Sequence, residues 1–230
     1  TQTAGCSLTA QQPEINIVRV AIQAMAGVLG GTQSLHTDSM DEALALPSEK
    51  AVQIALRTQQ IIAHESGVAN VADPLGGSYY LEWLTDDMER QSRDYFDRIE
   101  SLGGVVSAIE KGFFQKEIAA AAYKYQQEID NNERTVVGVN EFTSNEPVEI
   151  PILEMDPEGF ERQCKRLKNL RSSRNKARHE ASLTAIEKAA EGDENLMPHF
   201  IEAAKAKATL GEMCDVLRGV FGEYREGSDF

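Results

Sequence analysis

The sequence predicts a parallel α/β arrangement followed by a helical extension, and three observations carry that prediction. Short strand-like segments at residues 1–3, 32–37 and 68–72 alternate with longer stretches of helical periodicity. Gln2, Gln33 and Val71 then stand about one βα unit apart, the spacing of successive parallel strands joined by crossover helices. Beyond a polar connector, the periodicity is helical throughout.

The elements follow in order. Pro13 to Leu29 places Ile15, Val18, Ile22, Met25 and Leu29 on one helical face, with Pro13 suited to a first turn and Gly30-Gly31 as a stop. The segment TQSLHT (32–37) reads as a strand. Ser48 is placed to cap a helix that runs to about Ser66 and stops at Gly67. VANVA (68–72) is a third strand-like segment, DPLGGS a turn, and Leu81 to Ser101 a helix. Helix resumes after Gly103-Gly104 to about Asn131, with a break at Gly112, and TVVGV (135–139) offers a last short strand. Residues 141–157, rich in polar residues and Pro, form a connector between a domain of residues 1–140 and an extension of residues 158–230. The extension contains helices at Glu158 to Arg174 and Asn175 to Ala190, then one long helix striped by Leu196, Phe200, Ile201, Leu210, Met213, Leu217, Val220 and Phe221.

Three parallel strands cannot close a barrel of eight, which takes about 250 residues. The sheet must be completed by more of the same protein or by another chain.

Composition narrows the function. A hydrophobic fraction of 41% suffices for a core, and no apolar run approaches the roughly 18 residues of a membrane helix. The net charge of −14 would repel phosphate backbones, which argues against a nucleic-acid partner. Cys6, Cys164 and Cys214 are far apart and lack zinc spacing, so neither a disulfide framework nor a metal site is expected, and a cytoplasmic location is the default.

TQSLHT is polar on both faces of its alternation, where a strand covered by crossover helices normally carries Val, Ile and Leu. Buried polar groups need partners, and α/β proteins collect ligands at strand carboxyl ends, so TQSLHT and the acidic DSMDEA after it mark the expected ligand site. His36 alone reads as a structural histidine, and His64, His179 and His199 receive no role. Cys6 has no neighbouring base and reads as inert, and the Gly-Gly of DPLGGS as a plain turn.

The strings QTAG-x-SLT, GGTQSLHTDSMDEALALP, ESGVANVADPLGGSYY, VVGVN and GEMCDVLRGVFG, in this order, closely resemble the large catalytic subunit of methylmalonyl-CoA mutase. The resemblance implies the carboxyl-terminal portion of a (β/α)₈ TIM barrel: the end of strand six, strands seven and eight, and the mainly α-helical extension. It implies adenosylcobalamin as cofactor and a radical interconversion of (R)-methylmalonyl-CoA and succinyl-CoA, in which the protein positions and protects. It also implies a polar barrel interior for the pantetheine arm, which would account for the polar TQSLHT.

By position in the resembling motifs, Gln2 and Gln33 fall on the substrate side, while Gly5, Glu42, Ala45 and Leu46 fall on the cobalamin side. No catalytic residue and no metal ligand is assigned. Cys6 stands where the family usually carries Trp, which keeps isobutyryl-CoA, 2-hydroxyisobutyryl-CoA and ethylmalonyl-CoA open as alternative substrates. No DxHxxG occurs, so the cobalt ligand is expected from a separate domain or small cobalamin-binding subunit. Implied partners are that subunit, the remainder of the barrel, an acyl-CoA and a G-protein chaperone. The portion alone is expected to be inactive, and a reading from another class is a noncatalytic helical module that docks the cobalamin-binding subunit.

Overall fold

A computed structural model describes residues 1–225 of the chain. It divides into two compact units, one over Thr1–Glu154 and a second that begins at Met155. Among the described residues the secondary structure is helical, with two isolated parallel bridges, Gln2 to His36 and Val137 to Glu141.

This corrects the strand expectations. TQT and TQSLHT meet only at the one bridge, VANVA turns into a 3₁₀ helix at Val68–Asn70, and TVVGV forms turns around its bridge. A strand persists only where neighbours take up its backbone groups over several residues, and a lone pairing of short segments is marginal. The barrel portion expected from the resemblance is therefore not displayed as a sheet among the described residues.

In the first unit, α1 (Asn16–Leu29) packs against α2 (Glu49–Glu65) through small residues. Val20 and Ala24 of α1 and Ala51 and Ala55 of α2 are buried, and their size lets the helices approach closely. The apolar face read from the sequence is not the buried one: Val18 is 58% and Ile22 66% exposed. That face lines an open groove of about 810 Å³ with Ile15, Ile129 and Val136. Ser48 caps α2 as expected, its side chain accepting from the Ala51 N–H at 3.3 Å, and Gly67 follows the helix at φ 74°.

The α3 helix (Tyr79–Ser101) leads through a glycine turn to α4 (Val105–Glu110), and Gly112, at φ 64°, separates α4 from α5 (Phe113–Asp130). The α3 and α5 helices are tied by Arg98, which bonds Glu117 at 2.7 Å and lies over the rings of Tyr95 and Phe113.

The side chain of Asn16, fully buried, uses its complete hydrogen-bonding capacity. Its Oδ1 accepts from Thr9 N–H at 3.1 Å and from Arg19 at 2.8 Å, and its Nδ2 donates to the carbonyls of Thr9 and Met40 at 2.9 Å each.

The second unit contains α6 (Gly159–Ser173), α7 (Lys176–Ala190), α8 (Leu196–Lys205) and α9 (Leu210–Phe221), with α7 packed on both α8 and α9. The single long helix expected at the end is two. Lys207 takes φ 63°, and Thr209 with Glu212 forms a capping box that starts α9 afresh.

Glu212 also joins elements distant in sequence. Arg174 grips it through two bonds of 2.7 and 2.8 Å, the Thr209 N–H donates at 2.8 Å, and the buried His179 lies at 3.3 Å. The Arg174 guanidinium, helped by Thr209, holds the Glu212 carboxyl well below the usual carboxylate range, although burial opposes this.

Two predictions follow from these hubs. Asn16→Ala strands the Thr9 and Met40 groups and should cost about 3 kcal/mol in urea unfolding, with Asn16→Asp costing a similar amount because a carboxylate cannot donate. Glu212→Gln should destabilise by about 2 kcal/mol near neutral pH. A lowered carboxyl stabilises the fold above its ordinary value, 4.5, and that contribution fades as pH falls toward the native-state value. The gap between wild type and Glu212→Gln should therefore shrink as unfolding is measured from about pH 7 down to about pH 3.

Candidate functional site

The amino-terminal segment lies parallel to the residues around His36. The His36 N–H donates to the Thr1 carbonyl at 3.0 Å and the Thr3 N–H to the His36 carbonyl at 3.1 Å, which places Gln2 beside His36. Thr3 and Asp38, both buried, then bond reciprocally: the Asp38 N–H donates to Thr3 Oγ1 at 2.9 Å, and the Thr3 hydroxyl donates to Asp38 Oδ2 at 2.7 Å. The hydroxyl hydrogen is thereby committed to the carboxylate.

Helices fix both sides of this clasp. From α1, Gln23 Oε1 accepts from the Ala4 N–H and its Nε2 donates to Ser7 Oγ, both at 2.7 Å, which holds the 3₁₀ turn Gly5–Ser7. From α2, Gln59 donates to the Leu35 carbonyl at 3.1 Å and to Thr37 Oγ1 at 2.9 Å, while the Thr37 hydroxyl donates to the Ala55 carbonyl at 2.8 Å.

Residues 38–48 form an acidic turn. The Leu44 and Ala45 N–H groups both donate to the Asp41 carbonyl, and Asp41 Oδ2 accepts from the Ser48 N–H at 2.8 Å. Asp41 is fully buried, and its Oδ1 has no hydrogen-bond partner among the described residues. Glu42 reaches back to the 3₁₀ turn: a Cβ placed on Gly5 would sit 3.0 Å from Glu42 Oε1 and 4.0 Å from Asp38 Oδ2. Gly5 therefore leaves the space that the carboxyl fills. Partial burial, and then the hydrogen bond and charge of Asp38, push the Glu42 carboxyl above its ordinary value; His36 opposes this and Asp41 adds to it.

Of the residues singled out from the sequence, the structure brings Gly5 and Glu42 into contact and places Gln2 on the same clasp. Gln33 is exposed on a bend whose neighbours, Thr32 and Ser34, are hydrogen-bonded by Thr1. Ala45 is half-buried in the acidic turn, and Leu46 is exposed. Neither stands against Gly5 in the way Glu42 does, and among the described residues no hydrogen bond of the Gln2 or Gln33 side chain marks what they face. Sequence reasoning missed Thr3, Gln23, Asp38 and Gln59. The signal for Asp38 was its place at the end of a polar strand-like segment; Gln23 and Gln59, one polar residue each on amphipathic helices, carried none.

The profile of the family described as Methylmalonyl-CoA mutase matches residues 1–223. The chain belongs to the methylmalonyl-CoA mutase family. It is similar to the 2-hydroxyisobutanoyl-CoA mutase large subunit of Aquincola tertiaricarbonis, 46% identical over 227 residues, which is 98% of this chain and 40% of that protein. The mitochondrial methylmalonyl-CoA mutase of Homo sapiens is 44% identical over 226 residues, 97% of this chain and 30% of that protein. The methylmalonyl-CoA mutase of Escherichia coli (strain K12) is 42% identical over 224 residues, 97% of this chain and 31% of that protein. The chain thus spans well under half the length of these relatives. Mutase family membership gives the clasp its interest, because QTAG and DSMDEA, distant in sequence, supply its two halves. No helix among the described residues is long and apolar enough to cross a membrane.

Thr3→Val keeps the shape but leaves the Asp38 N–H and Oδ2 without their partner, so it should cost about 2 kcal/mol. Thr9→Val, at a half-exposed hydroxyl, should cost clearly less, and paired urea titrations compare the two.

Proposed function

We propose that this chain is a portion of a cobalamin-dependent acyl-CoA mutase, with the interconversion of (R)-methylmalonyl-CoA and succinyl-CoA as its reaction. The observation that carries the reading is the Gly5–Glu42 contact in a member of this family. A cobalamin-type cofactor fits the residues present. Gly5, with no side chain, leaves room for Glu42 to lie against the 3₁₀ turn, and Glu42, exposed there, has oxygens for the amide or hydroxyl groups of such a ligand. Ala45 adds a small surface on the same turn and Leu46 an exposed apolar one.

When bound, the cofactor supplies the radical that starts the rearrangement. This chain's part is to bind and orient: Gln2 and Gln33 offer uncharged amides to a thioester carbonyl or an acyl carboxylate, and the clasp fixes Gln2 relative to Gly5. The rest of the barrel, the cobalt ligand, a small cobalamin-binding subunit and a G-protein chaperone belong to the same proposal.

A second reading of the substrate is favoured by Cys6. Its exposed thiol stands beside Gly5 where the family usually carries Trp, and 2-hydroxyisobutanoyl-CoA is the substrate named for a relative 46% identical. Isobutyryl-CoA and ethylmalonyl-CoA remain in the same comparison.

The test assays the full-length protein, with its cobalamin-binding partner and adenosylcobalamin, against these four acyl-CoAs. Turnover of methylmalonyl-CoA well above the others supports the first reading, and turnover of 2-hydroxyisobutanoyl-CoA the second. An assembly that binds its cobalamin subunit and isomerises nothing would leave only the docking-module reading. Glu42→Ala in that assembly should weaken adenosylcobalamin binding by about tenfold, the loss of one good hydrogen bond. Gln2→Ala or Gln33→Ala should raise KM for the acyl-CoA and spare cofactor affinity.

A further inference from the structure

His36 reads from the sequence as a structural histidine, and such a ring would be packed away and hydrogen-bonded. Its side chain is instead 63% exposed, and the group that faces it is the carboxylate of Asp38, with Oδ1 at 3.6 Å from His36 Nδ1. The clasp gives this ring a direction. Residues paired across a bridge send their side chains to one side of it, and the next residues along send theirs to the other. Thr3 and Thr37 are those next residues and both are buried, Thr37 bonding the Ala55 carbonyl of α2, so Gln2 and His36 share the open side.

Asp38 is fixed in its turn. It is buried, its Oδ2 accepts from the Thr3 hydroxyl at 2.7 Å and its N–H donates to Thr3 Oγ1 at 2.9 Å, which leaves Oδ1 for the imidazole. At 3.6 Å the separation is longer than a hydrogen bond, so the carboxylate acts on the ring as a charge rather than a clamp. A carboxylate can only accept. The nitrogen of a neutral ring that faces it therefore carries the proton, and the other nitrogen, Nε2, is left as an acceptor.

We propose that His36 is a binding residue for the acyl-CoA beside Gln2, its Nε2 accepting an N–H or O–H of that ligand, and that Asp38 is the positioning residue that sets the tautomer. Two sources supply such a donor: the amide N–H groups common to every CoA ester, and the hydroxyl that 2-hydroxyisobutanoyl-CoA carries on its acyl group. The binding role rests on the mutase reading, whereas the tautomer rests on the clasp alone.

Nitrogen-15 NMR of the full-length apoprotein, labelled at its histidine rings and recorded at about pH 9, where imidazoles are neutral, reads the tautomer. The His36 proton should sit on Nδ1 in the wild type. In Asp38→Asn, of the same shape, the amide oxygen meets the Thr3 hydroxyl and the amide N–H meets Nδ1, so the proton should move to Nε2. Titration calorimetry of the same apoprotein with free CoA, methylmalonyl-CoA and 2-hydroxyisobutanoyl-CoA then reads binding. His36→Asn, with nothing at the Nε2 position, should weaken affinity about tenfold, the loss of one good hydrogen bond; His36→Gln, whose carbonyl oxygen reaches that position, should restore most of it. Asp38→Asn should lose as much as His36→Asn with the ring still present, and adenosylcobalamin affinity should be unchanged in both His36 variants.

A loss seen with all three probes makes the amide the donor, and a loss confined to 2-hydroxyisobutanoyl-CoA makes it the hydroxyl; either upholds the contact. A proton on Nε2 in the wild type, or one that Asp38→Asn does not move, overturns the role of Asp38. Equal affinity in His36→Asn and wild type, no rescue by His36→Gln, or a loss that falls on adenosylcobalamin instead overturns the binding role of His36. A wild type that binds none of the three probes overturns the mutase reading and the contact together, while the Nδ1 proton is upheld or overturned by the NMR alone.

Discussion

The first unit depends on the four hydrogen bonds of the Asn16 side chain. A buried amide that lacked even one partner would be a liability, and here every donor and acceptor is used, by the 1–9 segment, by the acidic turn at Met40 and by Arg19 of its own helix. Two stretches with little regular structure of their own are thereby held to one point on α1. Arg19 extends the same network to the Val137 carbonyl, so the turn after α5 is tied to that point as well.

The clasp sits on this foundation. Its single parallel bridge would be weak alone, but Gln23 from α1 and Gln59 from α2 hold either side, so positions that a full sheet would fix by ladder bonds are fixed by two glutamine side chains. That arrangement gives the polar GGTQSLHT stretch its physical meaning. Thr37 is buried because its hydroxyl satisfies a carbonyl of α2, and the backbone of Leu35 and His36 is satisfied by Gln59, Thr1 and Thr3 rather than by strands on both sides. Function, on the reading proposed, needs the two halves of the clasp to keep their distance, and these bonds set it.

How much of this was legible in the sequence varied with the kind of signal. Helix existence and several ends were plain, because Ser48, Gly67 and Gly112 act locally and their chemistry does not depend on distant neighbours. The Thr209–Glu212 box was also written in the sequence, yet the apolar stripe across it was read as one helix, since periodicity survives a break of a few residues. Strands were legible only as composition; whether they form depends on partners that no local pattern encodes. On α1 the apolar stripe legible in the sequence does not mark burial: Val18 and Ile22 are exposed, while Val20 and Ala24 are buried. Gly5 and Glu42 were found through motif resemblance, and Asp38, their companion, was passed over because a buried acid at a strand end looks like any loop acid until its neighbours are known.

Glu212 has a consequence for how the second unit comes apart. The same carboxylate that opens α9 by capping it also receives Arg174 and His179 from the α6–α7 region, so the start of a helix and the docking of that helix are one event. An ordinary helix end can fray while its middle stays packed; this one cannot loosen without releasing Arg174 into solvent. Slow amide exchange should therefore extend to the first turn of α9, with its amides opening together with those of α7 as a single cooperative block.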